Sequence, residues 1–287
     1  MSELEKFIGD CFQELGRNDV SAVHNGLQKL DSMIAVLCSR YSLLISKRST
    51  PPATRSRKST SKVETQRSHR AVWKVPTIDD DVFGEFVKLQ NGFELNLASA
   101  LLQTLSRMII NPGDYPAESM VLMHTVLQGV LLIHPPSRNL FSRESNLKLI
   151  LDCIVPGNQP VVVKAAVQTL VSCLVRSVPS IRTFEKLNGP DIVCRLLKKS
   201  DPAVPKEVQV RALEFLLFYL VPETKSLRTS QSEKDTTATP KVAYEDGCIR
   251  RSTEDKASIL RCYLPNVDDL VKELYESKPF GNMNIEW

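Results

Sequence analysis

The chain lacks the sequence signatures of several common enzyme chemistries. It has no Gly-x-x-x-x-Gly-Lys-[Ser/Thr] loop to cradle phosphates and no His-Arg-Asp or Asp-Phe-Gly triplet of a protein kinase. A tyrosine-phosphatase loop needs Cys directly after His, and each of the seven Cys follows another residue type. No two Cys form a Cys-x-x-Cys pair, and an odd count without pattern suits a reducing, intracellular compartment better than a disulfide framework. Four of the Cys lie inside apolar helical stripes, where they act as small hydrophobes. The four His (His24, His69, His124, His134) are scattered, so no metal-ligand spacing arises, and His124 reads as a core histidine. No run approaches the ~18 apolar residues of a membrane helix. The first residues, MSELEKFIGDCFQEL, lack the apolar core of a secretion signal. Neither cofactor nor metal is expected, and the chain does not read as an enzyme.

What is present is helical repetition. Only 11 of 287 residues are Gly, and 42% are hydrophobic, enough for one substantial core. Residues 184–220, FEKLNGPDIVCRLLKKSDPAVPKEVQVRALEFLLFYL, read as one unit: Phe184 and an Asn-Gly turn, an apolar helix, a loop with Pro202 and Pro205, then a longer amphipathic helix. The stretch VVVKAAVQTLVSCL matches EVQVRALEFLLFYL at a spacing of 46, placing Leu170 on Leu216 and Leu174 on Leu220. One unit earlier the spacing is 43, placing Phe141 on Phe184, Asn146 on Gly189, Leu127 on Leu170 and Leu131 on Leu174. Such periods are those of armadillo and HEAT repeats, whose units cannot bury their apolar faces alone and therefore stack. The expected fold is all-α, an armadillo/HEAT-like α-solenoid with two disordered linkers.

The first linker is basic. Segment 46–74 holds nine Lys/Arg against one Glu while the whole chain carries only +4, so the remainder is net acidic. Rich in Ser, Thr and Pro, it cannot offset the entropy of ordering. Ser59 and Thr60 follow Arg57-Lys58 and are candidate phosphorylation sites, as are Ser252 and Thr253 after Arg250-Arg251. The expected division is an N-terminal helical pair (1–45), the basic linker (46–76), helical repeats (77–222), a second polar linker (223–251), and C-terminal capping helices with a tail (252–287). In the pair, Leu4, Phe7, Ile8, Phe12 and Leu15 share one face. Asn18 or Asp19 caps a longer helix that turns Val23, Leu27, Leu30, Ile34, Leu37 and Tyr41 inward. After Thr77 and Asp79-Asp80-Asp81, read as a helix N-terminus rather than a cation site, one helical stretch is expected up to the Asn111-Pro112-Gly113 break. The next helix ends at His134-Pro135-Pro136. Ser252 and Asp255 read as a capping box. Val267, Leu270, Val271 and Leu274 then form a stripe that either caps the stack or meets a partner.

The tail YLPNVDDLVKELYESKPFG (263–281), the block FVKLQNGFELNLASALL (86–102) and the repeat unit resemble the fungal cell division control protein 14 family, the septation-network component unrelated to the phosphatase of similar name. The resemblance runs from about Asp80 onward and extends more weakly over the first two helices. It implies a non-catalytic subunit that binds a Ste20-like, germinal-centre-type protein kinase and acts at the spindle pole in triggering the septum. It implies no catalytic residue.

Binding surfaces are therefore what the residues can offer. Importer-type repeats need recurrent Trp and Asn, and the two Trp (Trp73, Trp287) lie outside the repeats. RNA-reading repeats need recurrent polar and aromatic triplets, which are missing. The expected partner contacts are Lys164, Gln168, Arg211 and Glu214 on the innermost helices, with Val267, Leu270, Val271, Leu274 and Phe280 in the tail. The competing expectation is a nucleic-acid- or chromatin-associated solenoid that uses the 46–74 run.

Overall fold

The computed structural model describes residues 2–48, 81–111, 113–198, 204–223, 247–277 and 279, with side chains up to Ser39 in the first stretch. Ser59, Thr60, Phe280, Tyr41's side chain and nearly all of both linkers lie outside the described residues. Twelve α-helices and one 3-10 helix make up the described fold, which is all-α, with no strand among the described residues.

Local chemistry starts the helices where the sequence implies. Helix α1 (Glu3–Gly16) opens on a reciprocal capping box between Ser2 and Glu5. It buries Ile8, Cys11 and Leu15, whereas Phe7 is 37% exposed and leaves the expected face. Asp19 starts α2 (Val20–Arg48) by accepting from the Ser21 and Ala22 amides at 3.2 Å. Val23, Leu27, Leu30, Ile34 and Leu37 all point inward.

The expected single stretch before Asn111 is two helices, α3 (Asp81–Asn91) and α4 (Leu97–Ile110). A polar knot divides them. Buried Gln90 donates to the Leu95 carbonyl at 3.1 Å and accepts from the Leu97 amide at 2.8 Å. Asn96 caps α4 by accepting from the Ser99 amide at 2.9 Å. Side chains that satisfy backbone groups in a turn compete with helix continuation, and here they win.

Helix α5 (Ala117–Ile133) ends where the Pro pair begins the 3-10 helix η1 (Pro135–Ser142). There follow α6 (Glu144–Asp152), α7 (Pro160–Leu174), α8 (Val178–Lys186), α9 (Gly189–Arg195) and α10 (Lys206–Leu220). The chain finishes with α11 (Thr253–Leu260), opened by the Ser252–Asp255 capping box, and α12 (Val267–Ser277). Among the described residues no single helix is long and apolar enough to cross a membrane.

The long helices α2, α5, α7 and α10 stack side by side, and α1, α4 and α6 form a second row against them. Residues one period apart touch across this stack. His124 meets Thr169 at 3.1 Å, Ser180 donates to the Arg138 carbonyl at 3.3 Å, and Lys164 meets Glu207 at 2.6 Å; the sequence separations are 45, 42 and 43. The aligned leucines Leu127, Leu170 and Leu216, and likewise Leu131, Leu174 and Leu220, have no exposed surface, nor do Phe141 and Phe184. The core runs unbroken from Ile8 to Leu274, so the N-terminal pair, the repeats and the C-terminal helices bury one another.

Cations close the helix C-termini, whose last carbonyls have no partner within the helix; Arg138 and Lys256 are buried and Arg107 half-buried. Arg107 donates to the carbonyls of Leu15 and Gly16 at the end of α1. Arg138 reaches the Leu131 carbonyl at 2.9 Å and the Val175 carbonyl at 3.1 Å, bridging α5 and α7. Lys256 reaches the Val221 carbonyl at 2.7 Å, just past α10. The expected boundary of the second linker shifts for this reason. Glu223 donates its amide to the Arg251 carbonyl at 3.0 Å and its carboxylate accepts from the Arg251 amide at 3.0 Å, so both ends of that segment belong to the fold.

Candidate partner-docking surfaces

Burial shifts several titratable side chains of the core. His124 is fully buried against Thr169, and desolvation lowers its pKa to about 4. His134 is also shifted down by burial and sits between Ser137 and Asn91, at 2.8 and 3.1 Å. Burial pushes the thiols of Cys11 to about 11 and of Cys153 and Cys194 to about 12, and that of Cys173 well above its usual value. None of these four is a thiolate at neutral pH. No cluster of His, Cys, Asp and Glu among the described residues could hold a metal ion.

Two recesses among the described residues bear on partner docking. The first is a cleft of about 350 Å³ between α7 and α10, and it brings together three of the four expected contact residues. Gln168, Arg211 and Glu214 stand around walls made by Val167, Val171, Phe215, Leu217 and Phe218, with Pro279 at the edge. Arg211 and Glu214 satisfy each other at 2.7 Å along α10. Lys164 lies one turn away, paired with Glu207 at 2.6 Å, and this bond holds the Glu207 carboxyl below its usual range.

The second recess is a groove of about 1260 Å³ along α1, α4 and α6. Leu15, Leu102, Leu140 and Leu149 line its floor, with Ser99, Gln103, Ser145 and Asn146 as polar positions, and Arg143 is at one side. Phe93 stands at its rim, 96% exposed, in the turn between α3 and α4. Helical periodicity gives no reason to single out Phe93. Its signal is placement: a large aromatic directly after Asn91-Gly92, in a turn that needs no apolar residue.

The C-terminal stripe is turned inward. Val267 and Leu274 have no exposed surface, and Leu270 and Val271 pack half-buried on the core, so these four hold α12 against α10 and α11. Val267 and Leu274 consequently cap the stack and are out of a partner's reach. At the start of α11 the Ser252 hydroxyl is engaged by the Asp255 carboxylate at 2.8 Å, and Thr253 is only 5% exposed, which removes it as an accessible phosphorylation site.

The described residues form an all-helical stack with open grooves, in which Cys11, Cys153, Cys173, Cys194 and His124 are buried. The profile of the family described as "Cell division control protein 14, SIN component" matches residues 4–280. The chain is also 31% identical over 220 residues to "Cell division control protein 14" of Schizosaccharomyces pombe, covering 73% of this chain and 83% of that protein. The chain belongs to this cell division control protein 14 family. No solved structure matches it.

Proposed function

We propose that this chain is a non-catalytic scaffold that binds a Ste20-like, germinal-centre-type protein kinase of the septation initiation network and thereby promotes cytokinesis and septum formation. In this reading its helical repeats are armadillo-like, and it works in the cytoplasm with recruitment to the spindle pole body. The kinase docks along the groove of α1, α4 and α6. The observation that carries this is Phe93, 96% exposed beside a groove of about 1260 Å³. A solvated aromatic costs the fold apolar exposure and repays it only in a complex, where buried aromatics dominate binding energy. The groove exceeds the ~300–1,000 Å³ of small-molecule pockets, as a stretch of another protein requires.

Phe93→Ala tests it. Its side chain supports no packing, so the melting temperature should shift by less than about 1–2 °C, as for other surface changes of up to ~0.5 kcal/mol. Capture of the kinase from dividing cells should drop at least tenfold, as for an anchor worth about 2 kcal/mol. Full capture by the variant would count against this surface.

A further inference from the structure

We infer that a polar recess beside the groove of α1, α4 and α6 seats an aspartate or glutamate side chain of the docked partner, held by Arg143. The recess measures about 280 Å³ and adjoins the groove, since Asn96, Leu140 and Arg143 line both. The inference deepens the docking proposed above and rests on it. Inside the recess the hydrogen-bonding groups are already sorted. Gln90 is engaged by Leu95 and Leu97, and Asn96 by the Gln90 carbonyl and the Ser99 amide. Burial lowers the His134 pKa, so its ring is neutral at pH 7. Its Nε2 donates to Asn91 Oδ1 at 3.1 Å, which leaves Nδ1 to accept from the Ser137 hydroxyl at 2.8 Å. The groups left over are mainly donors. Among the described residues, Asn91 Nδ2, the Asn139 amide and the Arg143 guanidinium have no side-chain partner.

Charge complementarity selects the occupant. The charged residues lining the groove are Glu94, Arg107, Arg143 and Lys148, three cations against one carboxylate, on a chain that is net acidic outside 46–74. Arg107 is taken up by the end of α1, and Lys148 pairs with Asp152 at 2.7 Å. Arg143 is exposed and has no ion-pair partner among the described residues. Its planar fork offers parallel N–H bonds to a carboxylate, and its single charge matches the single charge of Asp or Glu. A phosphate brings about −1.5 to −2 and would be only partly compensated by one guanidinium. Nucleic acid draws its affinity from several cations along a track, which this recess does not provide. An acidic residue near the partner's apolar anchor therefore fits both recesses at once.

The test titrates the full chain with the kinase isolated from dividing cells. Arg143→Gln should weaken binding roughly tenfold or more. Asn139→Asp sets a competing carboxylate in the recess and should weaken binding comparably. Both side chains are exposed, so both variants should keep the melting temperature of the unaltered chain. Raising salt from about 0.1 M to about 1 M shortens the screening length from ~10 Å to ~3 Å. That change should weaken binding by the unaltered chain more than binding by Arg143→Gln. Dephosphorylating the kinase should leave the Arg143 effect in place. Lost binding in Phe93→Ala with full binding in both recess variants overturns this inference and leaves the groove as the dock. Full binding in Phe93→Ala and in both recess variants removes the dock, and this inference with it. An Arg143 effect that vanishes on dephosphorylation assigns the seat to a phosphate and overturns the carboxylate. Equal salt dependence in the unaltered chain and Arg143→Gln overturns the charge pairing.

Discussion

Glu223 and Lys256 form an ion pair at 3.1 Å with neither side chain exposed. The carboxylate also accepts from Arg182 and from the Arg251 amide, while the Lys256 ammonium donates to the Val221 carbonyl and lies 5.2 Å from the centre of the Tyr219 ring. Desolvation lowers the Lys256 pKa to about 8, and Glu223 counters it. This pair joins the end of α10 to α11 across the segment between them.

Breaking it should be expensive on one side only. Glu223→Gln leaves the buried Lys256 ammonium without its counter-charge and should cost about 3–5 kcal/mol in urea unfolding. Adding Lys256→Met should recover much of that loss, because the orphaned charge is gone. A double variant no more stable than Glu223→Gln would contradict this account.

Gly189 touches Phe184 so closely that a Cβ there would lie 2.1 Å from two ring carbons. The ring cannot retreat, since Phe215 and Tyr219 pack edge-on at 5.4 and 5.8 Å between centroids. Gly189→Ala should therefore destabilise by about 1–3 kcal/mol, the usual cost of overpacking. Gly9, within α1 with nothing inside 4 Å of its added Cβ, is the control, and Gly9→Ala should stabilise by roughly 0.5–1 kcal/mol. Thermal melts of the two variants should move in opposite directions.

His124 gives the fold an acid limit. Its folded pKa of about 4 lies below the ordinary 6.5, so between those values the unfolded chain binds a proton that the folded chain refuses. Stability should fall as pH drops from 6.5 towards 4, by roughly 3 kcal/mol from this residue at ~1.4 kcal/mol per unit. His134 adds to the trend in the same direction. Unfolding free energies of His124→Asn measured at pH 7 and pH 4.5 should differ by less than those of the unaltered chain; an equal difference would remove His124 as the cause.

Leu170 and Leu216 hold equivalent positions in α7 and α10, both with no exposed surface. Leu170→Asp or Leu216→Asp should each cost several kcal/mol, of the order of a domain's whole stability of ~5–15 kcal/mol. Loss of the cooperative circular-dichroism transition is the expected result, and a native-like melt in either variant would argue against this alignment.

The helical framework was legible from residue pattern because it is local. Asp19 and Ser252 cap helices within three residues of themselves, and the period linking Leu127, Leu170 and Leu216 places all three in the core. The stripe of α12 could be read but its destination could not, since an apolar face looks the same whether it caps a fold or meets a partner. The α3–α4 break is not legible in the apolar spacing, because Gln90 and Asn96 stop the helix through side-chain bonds that periodicity does not register. Phe93 was likewise invisible: exposure is a property of surroundings.

The sequence by itself determined that this protein is a stack of helices with a repeat near 43 residues, since caps, breaks and apolar spacing act within a few turns. Tertiary structure alone decided which cation closes which helix end, how Glu223 ties α10 to α11, and where the grooves open. Those outcomes depend on groups far apart in the chain meeting where water is excluded, and the cost or gain of a charge there is set by its neighbours in space.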